Sequence, residues 1–360
     1  MPRAAYDPAV GRLSTEVCFD EAELAEELGF DMVSVSEHHY WPLIPTPNAA
    51  LTAAALTQRT KRVRLGWLGP LVSMSNPVRI AEEAAQLDEM SGGRLSLLFL
   101  RGTPNEFLAY NVNPDETRAR TQEATQLIVR ALSEPQPFGW EGRYYRFPTV
   151  SVWPGATQLP HPPIFASGNS PESVAFAARH RFALALSFYP PHLVAKLVQT
   201  YYEAAAAAGW TPTPEQILYR GFVYCGRSDA AAEEVAARYF GAGSMSAQIK
   251  GRASVVAEIG HSRVASVEAL AANQPAPKGS ARKAAGFALG SLAFYGGPES
   301  MVEQITKFYE ETGVGFLDLV FTGGGLTREE RRDSITRFGQ QVIPQLRGLG
   351  ANVQVTQNAS

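Results

Sequence analysis

Hydrophobic and polar positions along this chain switch between two periodicities. Short runs rich in branched and aromatic residues predict strands at 32–36, 62–69, 95–100, 163–167, 182–188, 219–225 and 316–321. Between them, helical spacing predicts helices near 20–28, 48–59, 77–90, 115–132, 171–180, 191–208, 228–240 and 298–312, with a last helix near 327–346. Strand followed by helix, repeated, builds a parallel sheet, and close to eight repeats favour a closed (β/α)8 TIM barrel over an open doubly wound sheet. Punctuation agrees. Asn113-Pro114-Asp115-Glu116 and Ser170-Pro171-Glu172 read as helix N-caps with Pro at the first position, while Gly29, Gly209 and Gly313 follow helix ends.

Two places break the pattern. Residues 1–15 hold no convincing apolar strand, so the first strand of a barrel is missing, cryptic or truncated. Between the sixth strand and the last repeat lies the stretch 241–290, which contains Gln274-Pro275-Ala276-Pro277-Lys278-Gly279-Ser280. Connections in compact domains are usually short, so an insertion of this length, about 245–290, is expected to be a lid over the barrel mouth. The chain then reads as one barrel domain over 1–350, with a polar, disordered tail at 351–360.

Composition narrows the partners. With 45% hydrophobic residues the chain can bury a large core, and a net charge of -3 without a basic stripe argues against nucleic acid. A small-molecule partner is expected. The first residues lack the apolar core of a signal peptide, and no run reaches the ~18 apolar residues of a membrane span. Cys18 and Cys225, the two cysteines, match neither a disulfide framework nor a zinc site, which fits a reducing cytoplasm.

The chemistry gathers at predicted strand ends, where barrels of this kind keep their active sites. Glu37-His38-His39 follows the strand 32–36, and imidazole is the side chain most readily tuned to move protons near neutral pH. Arg101 ends the third strand and Arg118 lies one turn into the next helix, so the two guanidiniums could meet on one anion. Ser170-Pro171-Glu172-Ser173 opens a helix whose free N–H groups favour the same anion, although Glu172 would repel it. Thr322-Gly323-Gly324-Gly325 is a competing phosphate berth, Arg94 at a helix-to-strand turn reads as structural, and Trp67, Phe99, Phe188 and Tyr189 are candidates for an apolar pocket or for the core. No G-x-G-x-x-G follows a strand, and no His/Asp/Glu group has metal-ligand spacing.

Glu37-His38-His39, Ser75-Asn76-Pro77-Val78-Arg79-Ile80-Ala81-Glu82-Glu83, Leu87-Asp88-Glu89-Met90-Ser91-Gly92-Gly93-Arg94-Leu95, Arg101-Gly102 and Asp115-Glu116-Thr117-Arg118, taken in order, resemble the bacterial luciferase-like flavin monooxygenases. Tyr144-Tyr145-Arg146-Phe147-Pro148 and Pro160-His161-Pro162-Pro163-Ile164 extend the match, which returns around Gly296-Gly297-Pro298-Glu299 to Gly313. The resemblance implies a barrel that takes reduced FMN from a separate reductase and, with O2, uses a flavin C4a-peroxide to oxygenate a small organic substrate or aldehyde. It implies His38 as the catalytic residue and Glu37, Leu68, Gly69, Arg101, Arg118, Asn169, Ser170 and Ser173 as flavin-binding positions, with a non-proline cis peptide at Leu68-Gly69 set against an ordinary Gly-Pro turn. It also implies a homodimer formed through helices 49–57 and 78–90. A deazaflavin-dependent hydride-transfer oxidoreductase and a flavin-binding protein without turnover are the alternatives.

Overall fold

The computed structural model describes residues 8–39, 46–102, 104–168, 170–239, 292–321 and 326–347. The expected lid, Tyr40, Asn169, the 322–325 glycines and the tail lie outside the described residues. In chain order the first elements are α1 (Pro8–Glu27), β1 (Met32–Ser36), α2 (Ala49–Arg59), β2 (Arg64–Leu71), α3 (Pro77–Ser91), β3 (Leu95–Leu100), α4 (Pro104–Ala109) and α5 (Thr117–Ser133). A hairpin, β4 (Phe138–Glu141) and β5 (Arg146–Val150), precedes β6 (Ile164–Ser167), α6 (Pro171–Arg179), β7 (Ala183–Ser187), α7 (Pro191–Ala207), β8 (Ile217–Cys225) and α8 (Asp229–Tyr239). The last part holds β9 (Leu292–Gly296), α9 (Pro298–Thr312), β10 (Phe316–Val320), α10 (Arg328–Arg337), a π-helical turn (Phe338–Val342) and α11 (Ile343–Leu346).

Eight strands form one parallel sheet, in the order β1-β2-β3-β6-β7-β8-β10, with β9 paired to β8. This is the expected β/α barrel, with one difference. The eighth strand, β9, extends the sheet along the second half of β8 and does not stand between β1 and β10. The N-terminal stretch that lacked a strand pattern is helical from Pro8, and α1 packs Val17, Ala22, Leu24 and Ala25 inward.

Two apolar layers result from the period-two alternation of the strands. One face of the strands packs beneath the helices around Trp67, Leu95, Leu97, Leu127, Ile128, Leu184 and Leu186. The opposite face fills the barrel with Leu68, Leu98, Phe165, Ala183, Ala185 and Leu218, against which Met32, Leu100 and Phe316 pack. Each fully buried leucine contributes about 2 kcal/mol, so the filled barrel is a rigid floor and not a channel.

Helix entries follow their sequence cues. Asn76 accepts from Val78 N and Arg79 N ahead of Pro77, and Ser170 and Ser173 form a reciprocal capping box on α6. At Asn113-Pro114 the helix starts later than expected: Asn113 closes a turn onto Asp115 N, and α5 begins at Thr117, whose hydroxyl bonds Pro114 O. Arg94 is structural, as its turn position suggested. It donates to the carbonyls of Ser91, Val63, Thr57 and Thr60 and to the Thr60 hydroxyl, tying α2 and α3 to the start of β3. Among the described residues, no helix is long and apolar enough to cross a membrane.

Candidate active site

A cavity of about 270 Å³ opens at the C-terminal ends of β1, β3 and β6. Ligand pockets run from roughly 300 Å³ upward, so it stands at the small end of that range. Its lining includes Glu37, His38, Arg101, Arg118, Ser170 and Ser173, six of the nine residues expected from sequence. Asn169 lies outside the described residues.

Leu68 and Gly69 do not line this cavity. Leu68 sits in the apolar floor beneath it, and Gly69 wedges between Glu37 and Leu100, where an added Cβ would fall 2.9 Å from Leu100 Cδ1. Neither the cis peptide nor the turn occurs there. The cis bonds among the described residues precede Pro154 and Pro160, and β2 continues through Leu71. Pro70 lacks the N–H that a ladder needs, and the strand absorbs it as a bulge, the register against β3 shifting between Leu68 and Leu71.

The loop after β1 is held from two sides: Glu37 N donates to Leu68 O at 3.3 Å and His38 N to Thr46 O at 3.2 Å. His38 Nδ1 stands 3.1 Å from a carboxylate oxygen of Glu106, which also accepts from His39 N at 3.3 Å. Glu106 is fully buried, on the short helix α4 that follows Gly102. Gly102 is required at that corner: its φ is +95° and a Cβ would lie 2.2 Å from Met74 Cε. Sequence reading passed over Glu106 because α4 is too short to show a period; its one signal was a carboxylate a few residues past the end of a buried strand.

Burial sets the charge states. Desolvation pushes the Glu37 carboxyl up to about 8, with the Glu83 and Glu106 charges adding to it and a backbone hydrogen bond from Ala49 opposing. Desolvation also pushes His39 down. The 3.4 Å contact between His39 Nε2 and Glu37 is therefore a hydrogen bond between two neutral groups at pH 7, not an ion pair. His39 packs edge-on to Tyr110 and is buried, so it props the loop while His38 faces the cavity.

The cationic side is built by β3, α5 and α6. Desolvation and then the Arg118 guanidinium hold Arg101 below its ordinary value, so two cations share one cavity, and Arg101 has no carboxylate partner among the described residues. Arg118 pairs with Glu172 at 3.1 Å, both side chains well exposed. Glu172 is turned toward Arg118, and hydrogen bonds from Ser170, from its own backbone and from Arg118 hold its carboxyl down. An exposed pair of this kind is screened by solvent and contributes little, so an entering anion can displace it. Ser167, Thr121, Gln122 and Thr125 add polar lining, and Leu71, Phe99, Leu100 and Phe176 give apolar walls. Of the expected aromatics only Phe99 lines the cavity. Trp67 is buried under the helices, Phe188 stacks on Phe222 at 4.9 Å, and Tyr189 accepts from the Tyr219 hydroxyl through its carbonyl.

Comparison with known proteins gives the family and the shared fold. The family described as luciferase-like monooxygenase matches residues 15–315, and the chain belongs to that family. Among curated relatives, the alkanal monooxygenase alpha chain of Aliivibrio fischeri is 34% identical over 128 residues, 35% of this chain and 36% of that protein. The oxygenase component of the flavin-dependent trigonelline monooxygenase of Acinetobacter baylyi is 29% identical over 231 residues, 61% and 63% of the two chains. The matches thus span between about a third and just under two thirds of these relatives. Among solved structures, the monooxygenase RslO1 of Streptomyces bottropensis superposes with a TM-score of 0.71 at 28% identity, covering 92% of this chain and 93% of that one. The oxygenating constituent of 3,6-diketocamphane monooxygenase from Pseudomonas putida, in complex with FMN, gives 0.72 at 19% identity over 96% and 95%, which shows the shared fold.

Proposed function

We propose that this protein is a flavin-dependent monooxygenase that binds reduced FMN in the 270 Å³ cavity and oxygenates a small apolar substrate or aldehyde with O2. One observation carries the reading: an anion-binding side, made of Arg101, Arg118 and the N-terminus of α6, faces a proton-handling side, made of His38, Glu106 and the neutral Glu37, across a single cavity. The donor set suits a flavin's phosphate on one side, and the apolar walls Leu71, Phe99 and Phe176 suit its ring and an organic substrate.

Bound flavin would supply the electrons and the oxygen chemistry that the family resemblance implies. The protein's own groups do the rest. Arg101 supplies a fixed fork of donors to the phosphate, and Arg118 joins it once released from Glu172. Glu106, placed to accept a hydrogen bond from His38 Nδ1, would fix the tautomer and leave Nε2 as the basic nitrogen for a proton held at the reacting end. Glu37, protonated at pH 7, keeps a second negative charge away from the anion. A separate reductase is part of the proposal, as is work in the cytoplasm. So is a homodimer through α2 and α3, supported by the exposed Leu51 and Met90 on those helices.

The test is coupled turnover. With a flavin reductase, FMN and NADH, a panel of aldehydes, ketones and aromatic substrates should include one whose product forms in step with O2 consumption. Release of all the oxygen as hydrogen peroxide across the panel would contradict the monooxygenase reading and favour a flavin-binding role. Reduction of a substrate by reduced deazaflavin without O2 would favour hydride transfer.

A further inference from the structure

The peptide that joins Ser36 to Glu37 stands between two cavities. Glu37 and His38 line the candidate active site, whereas Ser36 and Thr46, with Arg220 and Asp318, line a larger cavity of about 830 Å³ beside β1 and β10. A turn with a cavity on either side gains little from packing, so hydrogen bonds fix its position. From β2 and from the loop itself, Leu68 O accepts from Glu37 N, Thr46 O accepts from His38 N, and Ser36 O accepts from the Thr46 hydroxyl. One further bond is remote in sequence. Arg220, 184 residues away on β8, donates through Nη2 to Ser36 Oγ at 2.8 Å.

Arg220 is placed by the sheet and not by the loop. It stands within β8, in register with Ser187 of β7 on one side and Asp318 of β10 on the other. Its Nη1 pairs with Asp318, whose side chain is 8% exposed and also accepts from Ser34 Oγ at 2.8 Å. A mostly buried pair is little screened by salt, and loss of either partner leaves the other charge unpaired. The guanidinium fork meets two acceptors at once, Asp318 through one nitrogen and Ser36 through the other, a geometry that a lysine ammonium on its flexible stem holds less rigidly. Among the described residues β1 pairs only with β2 and β10 only with β8, so this network joins the end of β1 to the far side of the barrel.

We propose that Arg220 is a positioning residue for His38: held by Asp318, it fixes Ser36 and so the angle at which the imidazole enters the cavity. One residue separates Ser36 from His38, so a tilt at the end of β1 carries to the imidazole and alters its 3.1 Å contact with Glu106. Ser34 serves the other half of the network, since its hydroxyl braces Asp318 and does not touch the loop. The inference rests on the proposed role of His38, and the tautomer of His38 can be read whether or not any substrate turns over.

Nitrogen NMR of the full chain with labelled histidines tests this, the His38 signals being those lost in His38→Gln. The wild type should hold His38 in one tautomer, with the proton on Nδ1. Ser36→Ala and Arg220→Met should each give a mixture of tautomers, and Arg220→Lys should recover part of the wild-type state. In coupled turnover the same two variants should lower kcat by about 10-fold and leave the KM for reduced FMN unchanged, since a misplacement of about 1 Å can cost ~100-fold in rate. Ser34→Ala should keep the wild-type tautomer and kcat. If Arg220→Met fails to fold, Ser36→Ala decides, because it leaves the Arg220–Asp318 pair in place. A single wild-type tautomer in Ser36→Ala would overturn the proposal, as would mixed tautomers in the wild type. An equal effect of Ser34→Ala would also overturn it, because the network would then brace the sheet alone. A tautomer change in a protein that oxygenates no substrate would support the positioning role and count against the monooxygenase reading only.

Discussion

Glu37 should govern how this protein responds to pH. Its folded-state value of about 8 lies above the 4.5 of an ordinary carboxyl, so the native state holds a proton that the unfolded chain releases. Its contribution to stability is full below pH ~4.5 and is lost as pH rises toward 8. That loss is on the order of a few kcal/mol in all, since each tenfold difference in proton affinity between the folded and unfolded states is worth about 1.4 kcal/mol. Glu37→Gln should flatten the decline of Tm between pH 5 and 8, which thermal melts across that range would show. His38 and Glu106 make a second pair of expectations. His38→Ala should lower turnover by about 10²- to 10⁴-fold, the usual range for a positioned proton-transfer group. Glu106→Gln should lose a smaller factor and move the pH profile, because it acts through His38. Combining the two should cost no more than His38→Ala alone, which a double-mutant cycle on kcat would establish. Arg101→Ala should weaken reduced FMN binding by roughly 10- to 100-fold, the worth of a charged hydrogen bond. Glu172→Gln should strengthen binding, since it frees Arg118 from its ion pair.

Among the elements, the strand-and-helix alternation was legible wherever a run was buried on both faces or strictly periodic. The strands 32–36 and 95–100 and the helix 298–312 were read with the boundaries they have, because apolar runs and glycine or proline punctuation mark them directly. The hairpin β4–β5 was not legible: it is half exposed, and its alternation spans only four or five residues a side. The start of α1 was hidden for a similar reason, since Pro8, Ala9, Arg12, Leu13, Ser14 and Thr15 in its first two turns are exposed and mark no buried face. The most instructive miss is the bulge in β2. Family resemblance drew attention to Leu68-Gly69, but pocket lining depends on which way a bulged strand turns, and that is set by tertiary packing against Leu100 and Glu37. Gly69 has φ +117° and no room for a Cβ, so Gly69→Ala should cost about 1–3 kcal/mol and lower Tm. It should also weaken flavin binding, because Glu37 and Leu100, which would have to move, both line the cavity.

For the whole molecule, the residues that sequence brought forward at separate strand and helix ends converge on one cavity because a parallel barrel gathers the C-terminal ends of its strands on one face. Arg101 and Arg118 could be read from sequence as a pair, whereas Glu106 could not, because its contact with His38 spans 68 residues and no local pattern encodes it. The proposed activity depends above all on this cavity holding the phosphate of reduced FMN through Arg101. Anaerobic titration of the wild-type protein and of Arg101→Ala with reduced FMN, and in parallel with reduced riboflavin, isolates that contact. The wild type should prefer FMN over riboflavin by at least ~10-fold, the worth of about 1.4 kcal/mol, and Arg101→Ala should lose that preference while still binding riboflavin as before. Equal affinity of the wild type for both flavins, or a preference for FMN that survives Arg101→Ala, would contradict it.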